Sequence, residues 1–315
     1  MKFYKIIRGD GVHCERTPYD GCNINISLFN SSEKAESKII YFAKEDILAF
    51  LNCGSLICEV ILPETSKVYK NPGTPTTWSA DKVILGQSRK ITSEVIISIL
   101  EEGANIHADG DCALRYAAEN GLLEVTRCLV ERGANIHAWC DDALQCAARN
   151  GHLEIVKYLV KHGADIHMRS DYVLQCAARN GHLGVVKYLV EQGADIYGYG
   201  DCALRFATEN GELEVVKYLM EQGVDIHAYN DNVLSLAAGN GHLEIVKYLV
   251  EKGANIHAYD DNALQWAARN GHFEVVIYLV EQGANINTNN GYAIYMARKY
   301  EHNEIVKYLF EAQVK

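Results

Sequence analysis

Residues 253–282 read Gly253-Ala-Asn-Ile-His-Ala-Tyr-Asp260, then Asp261-Asn-Ala-Leu-Gln-Trp-Ala-Ala-Arg-Asn-Gly-His272, then Phe273-Glu-Val-Val-Ile-Tyr-Leu-Val-Glu-Gln282. Ala263, Leu264, Ala267 and Ala268 fall on one helical face at three- and four-residue spacing. Asp261 in front of them is an expected N-cap, its carboxylate accepting the open amides of the first turn. Asn270-Gly271 supplies the left-handed residue that ends a helix. Phe273, Val275, Val276, Leu279 and Val280 then form a second apolar stripe, which Gly283 stops. The stretch therefore predicts a short helix, a tight turn, a second helix and a loop. Neither helix can bury its stripe alone, so such a unit gains stability only by stacking on its neighbours.

The same unit recurs upstream. Glycine stands at 103, 133, 163, 193, 223, 253 and 283, and isoleucine three residues after each. Alanine from Ala117 to Ala297 and leucine from Leu129 to Leu309 keep the same spacing. Asn270-Gly-His-Phe-Glu-Val-Val and its copies, such as Asn240-Gly-His-Leu-Glu-Ile-Val-Lys-Tyr-Leu-Val-Glu-Lys-Gly-Ala-Asn-Ile256, resemble the ankyrin repeat. The resemblance implies a mostly α fold: an elongated ankyrin-repeat solenoid of helix-turn-helix units. Seven units of thirty residues cover 103–312, with an incomplete unit at 91–102 carrying Val95, Ile96, Ile99 and Leu100. Ankyrin units usually have ~33 residues and a Thr-Pro-Leu-His turn. Here that block is replaced by Asn262-Ala-Leu-Gln265 or Cys112-Ala-Leu-Arg115, and the three missing residues fall between Ile256 and Asp261, predicting shortened loops. The aspartates at 111, 141, 171, 201, 231 and 261 are expected to cap in place of proline. In the last unit Arg298, Tyr300-Glu301 and Asn303 replace apolar or turn residues, as a terminal layer facing water would.

Residues 1–90 lack this period. Short β-like runs at 38–42 and 55–62 flank a helical stretch at 44–51, with Pro63, Pro72 and Pro75 in the loops, so a small α+β N-terminal domain at 1–90 should precede the solenoid at 91–315. The order Phe29-Asn30, Ile40-Tyr41-Phe42, Glu45-Asp46-Ile47, Phe50, Val60-Ile61-Leu62-Pro63, Trp78 and Ala80-Asp81-Lys82-Val83-Ile84-Leu85-Gly86 is similar to the leader domain on many ankyrin-repeat proteins of mimivirus-type giant DNA viruses. That resemblance implies a viral protein working inside the cell, in the host cytoplasm.

Composition narrows the function. Of 315 residues, 30 are basic and 41 acidic, a net charge of −11. Residues 91–315 hold 18 of the basic and 31 of the acidic ones, so they carry −13. Such a surface repels phosphate backbones, so no nucleic-acid partner is expected, and a neutral or basic protein surface is. The N-terminus has no apolar stretch of signal-peptide length, and no apolar run reaches the ~20 residues that would span a bilayer. Ten cysteines without a CxxC pair are read as reduced thiols, Cys146 and Cys176 serving as small apolar side chains.

Ten of twelve histidines fill two columns, His107, His137, His167, His227 and His257, and His152, His182, His242, His272 and His302. Zinc needs ligands at ~2.0–2.1 Å, whereas equivalent residues of stacked helices lie about 8–10 Å apart. Hydrogen bonding between loops is the expectation, with no metal and no cofactor. Tyr158, Tyr188, Tyr218, Tyr248, Tyr278 and Tyr308 are expected to pack within the second helices. No phosphate loop, HExxH or GxSxG occurs, so no enzyme is expected. His13-Cys14-Glu15 in the leader is the one imaginable nucleophile–base set, and adjacent extended residues face opposite ways.

One column varies where no packing rule demands it: Asp109, Trp139, Arg169, Tyr199, Tyr229, Tyr259 and Asn289 at the loop tips. The start of the first helix varies as well, at Asp142, Tyr172, Cys202, Asn232 and Asn262. Trp, Tyr and Arg dominate protein–protein hot spots. Trp139, Arg169, Tyr172, Tyr199, Tyr229, Tyr259, Asp142, Asn232 and Asn262 are therefore the expected contacts of a protein partner on the concave face, the chain itself being a monomeric scaffold. An adaptor that recruits an effector, such as a ubiquitin ligase, through residues 1–90 is the alternative reading. An enzymatic leader acting on a small molecule is a third.

Overall fold

In the computed structural model, residues 3–7, 39–53, 55–70, 77–80, 84–227 and 232–313 are described. They fall into two compact units, one of residues 1–147 with 154–164, the other of 148–153 with 165–315.

The first unit begins with strands β1 (Phe3–Ile7) and β2 (Ile39–Ala43), a 3-10 helix (Lys44–Cys53), and β3 (Leu56–Ile61), β4 (Val68–Lys70), β5 (Thr77–Ala80), β6 (Ile84–Leu85) and β7 (Arg89–Lys90). They make one antiparallel sheet in the order β4-β5-β2-β1-β3-β6, with β7 also on β3. β1 lies at its centre, Phe3 opposite Val60 and Ile7 opposite Leu56. This strand, absent from the sequence reading, arises because Tyr4 and Ile6 on one face of the pleat are buried. The runs expected at 38–42 and 55–62 and the helix expected at 44–51 are found as β2, β3 and the 3-10 helix. That helix buries Ile47, Leu48, Phe50 and Leu51. Phe29-Asn30, Pro72, Pro75 and His13-Cys14-Glu15 lie outside the described residues.

Then come α1 (Ser93–Glu101) and seven helix pairs: α2 (Cys112–Glu119) and α3 (Leu123–Glu131), α4 (Asp142–Arg149) and α5 (Leu153–Lys161), α6 (Tyr172–Arg179) and α7 (Leu183–Glu191), α8 (Gly198–Asn210) and α9 (Leu213–Glu221), α10 (Asn232–Gly239) and α11 (Leu243–Glu251), α12 (Ala258–Asn270) and α13 (Phe273–Glu281), α14 (Thr288–Lys299) and α15 (Asn303–Gln313). In the first unit the 3-10 helix meets α2, and the Tyr4 hydroxyl donates to Glu102 Oε2 at 3.2 Å. The leucine column from Leu129 to Leu309 is fully buried, each side chain contributing about 2 kcal/mol. Gly271 ends α12 at φ 84°, and Gly283 follows α13 at φ 100°, the left-handed conformation expected of both.

Asp111, Asp171 and Asp261 do not serve as the expected caps. Asp111 and Asp171 precede their helices in left-handed conformation and make no side-chain cap bond, and Asp261 sits at φ 57° within a left-handed turn that opens α12. With the backbone turned that way, the carboxylate points away from its own first-turn amides and crosses to the next loop. Asp111 Oδ1 accepts from Asn135 N at 2.9 Å, Asp171 Oδ1 from Asp195 N at 3.2 Å and Asp261 Oδ1 from Asn285 N at 2.9 Å. These three buried carboxylates each stitch a repeat to its successor.

Candidate functional site

The loop tips replace the expected short fingers with a left-handed turn. Trp139, Cys140 and Asp141 have φ of 54°, 63° and 59°, Arg169, Ser170 and Asp171 52°, 57° and 58°, and Tyr259, Asp260 and Asp261 50°, 58° and 57°. For L-residues other than Gly, Asn and Asp this costs roughly 1–2 kcal/mol each, so other groups must hold it. Gln145 Nε2 donates to Cys140 O at 2.6 Å, Gln175 Nε2 to Ser170 O at 3.1 Å and Gln265 Nε2 to Asp260 O at 2.5 Å. The glutamine that stands where the family has histidine is thus a clamp on the turn. At the loop entry, the Asn or Asp two residues before the histidine position accepts that residue's amide in all seven units, for instance Asn105 Oδ1 from His107 N at 3.0 Å and Asn285 Oδ1 from Asn287 N at 2.9 Å. Asn and Asp alternate here because either side chain supplies that acceptor.

Both histidine columns are hydrogen-bonded. His107, His137, His167 and His257 place Nδ1 2.9–3.1 Å from the aspartate four residues on, inside their own unit. His182, His242, His272 and His302 place Nε2 2.9–3.0 Å from the carbonyl oxygens of Arg149, Glu209, Gly239 and Arg269 in the preceding unit. A carbonyl only accepts, so Nε2 carries the hydrogen there. The expected bonding between units holds for this second column. The first serves its own loop.

The candidate contacts divide by exposure. Trp139 is 64% exposed, and its Nε1 donates to Gly110 O at 3.2 Å, so the indole leans on the preceding tip while its other face is open. Asp142, the first residue of α4, is half-buried and pairs with Arg115 at 3.5 Å. These two belong to the first unit. In the second, Arg169 is exposed, Tyr259 is 54% exposed, and Tyr172, Asn232 and Asn262 are half-buried at helix starts. Tyr199 lies in α8, but its side chain, like all of Tyr229, falls outside the described residues.

Sequence reading missed a second set. Cys146, Cys176 and Met296 are buried as expected of their column, yet Trp266 in the same column is 39% exposed. Arg269 lies over its ring at 4.6 Å, and Arg179 and Arg205 lie over Phe206 at 4.0 and 4.9 Å. For Trp266 the signal was an arginine three residues later on the same helical face; the arginines over Phe206, its chain neighbour Arg205 and Arg179 of the preceding first helix, carried no such spacing. The tyrosines of the second helices are half-buried as expected, and Lys187 lies 5.4 Å from the Tyr218 ring. Burial, aided by the glutamate of the preceding second helix, pushes the hydroxyls of Tyr158, Tyr218, Tyr248, Tyr278 and Tyr308 up. Burial likewise pushes the Cys112 and Cys176 thiols up, away from the reactive thiolate. Cys58, Cys112, Cys128, Cys140, Cys146, Cys176 and Cys202 form no disulfide.

Stacked helix pairs that leave tip and first-helix side chains free of the core define a repeat scaffold for binding other proteins. The family model for ankyrin repeats, in three copies, matches residues 87–170, 169–230 and 234–315, and the chain belongs to the ankyrin-repeat family. Among solved structures it is similar to the human ASB11 ankyrin repeat domain, at 25% identity and a TM-score of 0.54, covering 62% of this chain and 96% of that one. Among the described residues, no helix is long and apolar enough to cross a membrane.

Proposed function

We propose that the chain is a non-enzymatic scaffold that binds a partner protein through its loop tips and first helices, with Trp139, Arg169, Tyr172 and Tyr259 as anchors. One observation carries this reading. Trp139 and Tyr259 stay exposed on left-handed turns that Gln145 and Gln265 clamp from within their own units. Exposed aromatics on a clamped backbone lose little side-chain freedom on binding, which suits them to be anchors. The reading is tested by replacing Trp139, Tyr199, Tyr229 and Tyr259 with alanine and comparing proteins recovered by affinity purification. Loss of a partner with an unchanged unfolding midpoint supports it, and full recovery sinks it.

A second reading is favoured by the seating of the leader on the first repeats through Tyr4 and Glu102. The leader would present an effector to whatever the repeats hold. Ile61 and Ile84 face each other on the sheet and are 50% and 54% exposed, so the double change Ile61→Lys, Ile84→Lys should abolish effector recruitment and spare the repeat-bound partner. The viral origin and the host cytoplasm rest on the leader resemblance alone.

A further inference from the structure

The net charge of −13 over residues 91–315 points to a neutral or basic partner, but the charge is unevenly placed. Most glutamates of the repeats sit on second helices, at 214, 221, 244, 251, 274 and 281 in three successive units. The first helices α6, α8 and α12 carry Arg179, Arg205 and Arg269; their acidic residues are Asp201 and Glu209 in α8 and Asp260 and Asp261 in the opening turn of α12. Arg179 and Arg205 are exposed and Arg269 is half-buried, and among the described residues none of the three is paired with a carboxylate.

Their geometry is that of prepared anion sites. Two guanidinium groups hold Phe206, and the third lies between Trp266 at 4.6 Å and Tyr300 at 5.4 Å. A guanidinium seated over a ring retains N–H donors at its edge, the groups from which a carboxylate accepts bidentately. Between the two clusters α10 offers Gly239 where α6 and α12 offer arginine. A Cβ there would meet Trp266 Cβ at 3.2 Å, so the missing side chain lets the indole lie against the α10 backbone. The helices α8, α10 and α12 pack in succession. The result is one row: guanidinium and phenyl, a low step, then indole and guanidinium.

We propose that this row binds an acidic peptide segment of the partner protein, carboxylates on the arginine forks and apolar side chains on Phe206 and Trp266. This rests on the scaffold reading and gives the partner a chemistry opposite to the one the net charge suggests. The probe is a labelled twelve-residue peptide of three Glu-Asp-Leu-Tyr repeats, with a Gln-Asn-Leu-Tyr version as control, titrated into the full chain by fluorescence anisotropy. The acidic peptide should bind at least about tenfold more tightly than the control, and added salt should weaken it. Arg205→Gln with Arg269→Gln should cost about tenfold or more, and Arg205→Lys with Arg269→Lys should fall between, since lysine keeps charge but not the fork. Unfolding midpoints of each variant separate lost binding from lost folding. Equal binding of the two peptides, or indifference to the arginine changes in a folded variant, overturns the proposal. So does a twelve-nucleotide polythymidine that binds as tightly as the acidic peptide. The alanine variants of Trp139 and Tyr259 separate the two readings: if they lose the purified partner while the arginine variants keep it, the scaffold stands and the acidic segment falls.

Discussion

Asp261→Ala tests whether buried carboxylates hold successive units together. Asp261 is 4% exposed, its Oδ1 accepts from Asn285 N at 2.9 Å and lies 2.9 Å from His257 Nδ1, and its Oδ2 accepts from Thr288 Oγ1 at 2.8 Å. Truncation leaves the Asn285 amide without its acceptor, at about 1–3 kcal/mol. The His257 ring and Thr288 hydroxyl are partly open to water, which replaces the lost acceptor at about 0–1 kcal/mol each. Alanine at φ 57° costs about 1 kcal/mol more than aspartate, whose short polar side chain tolerates that region. The contributions span about 2–6 kcal/mol, and with water restoring the two exposed bonds at little cost the expected loss is about 3 kcal/mol. Asp261→Asn keeps the shape, the left-handed preference and one acceptor oxygen, and should cost about 1 kcal/mol. Because each repeat touches only its neighbours, the loss should concentrate at the step to residues 283–313. Urea unfolding followed by circular dichroism gives the total, and native-state hydrogen exchange gives the location. A loss of about 3 kcal/mol raises the open population of the last unit about a hundredfold. An Asp261→Ala chain within about 0.5 kcal/mol of the parent, with unchanged amide protection in α14 and α15, would refute the stitch.

Three further outcomes follow from the same geometry. Gly271→Ala should destabilise more than Gly253→Ala: both sit in the left-handed region, at φ 84° and 95°, but a Cβ at 271 meets His302 Cε1 at 2.6 Å while one at 253 meets nothing within 4 Å. Expected losses are about 3 and about 1 kcal/mol by thermal unfolding, and equal losses would deny that the histidine is fixed there. Gln265→Ala should cost about 1 kcal/mol and raise exchange of the 258–261 amides, since it frees the Asp260 carbonyl. Stability should also fall at high pH. Tyr218, Tyr248, Tyr278 and Tyr308 have hydroxyls pushed above the ordinary value of 10.0 by burial. Their stabilisation is full below that value, where both states stay protonated, and fades as pH climbs from it through the raised folded values, because the unfolded chain ionises first. Phenylalanine at 248 and 278 should flatten the stability profile above about pH 10, read by chemical unfolding and tyrosinate absorbance.

Where sequence reading succeeded, the determinant was periodic. Ala263, Leu264, Leu279 and the thirty-residue glycine column state helix, turn and stacking without reference to any other part of the chain, and the leader's β2 and β3 announce themselves as apolar runs. β1 stayed hidden because five residues acquire meaning as a strand only with β2 and β3 on either side. The tip aromatics were legible as variation against a rigid repeat, though whether each stands open depends on neighbours thirty residues away, as Trp139 on Gly110 illustrates.

The sequence by itself therefore determined the architecture: the period, the helix pairs, the buried leucine column and the family follow from residue types at fixed spacing, because helix formation and stripe burial are local and repeated. Only the tertiary structure decided the roles of polar residues. Asp261 reads as a helix cap until the left-handed turn carries its carboxylate to the next loop, and Arg269 reads as a surface charge until Trp266 and Tyr300 close on either side. A hydrogen bond or a cation over a ring depends on direction as well as distance, and direction is set by the backbone of a neighbouring unit.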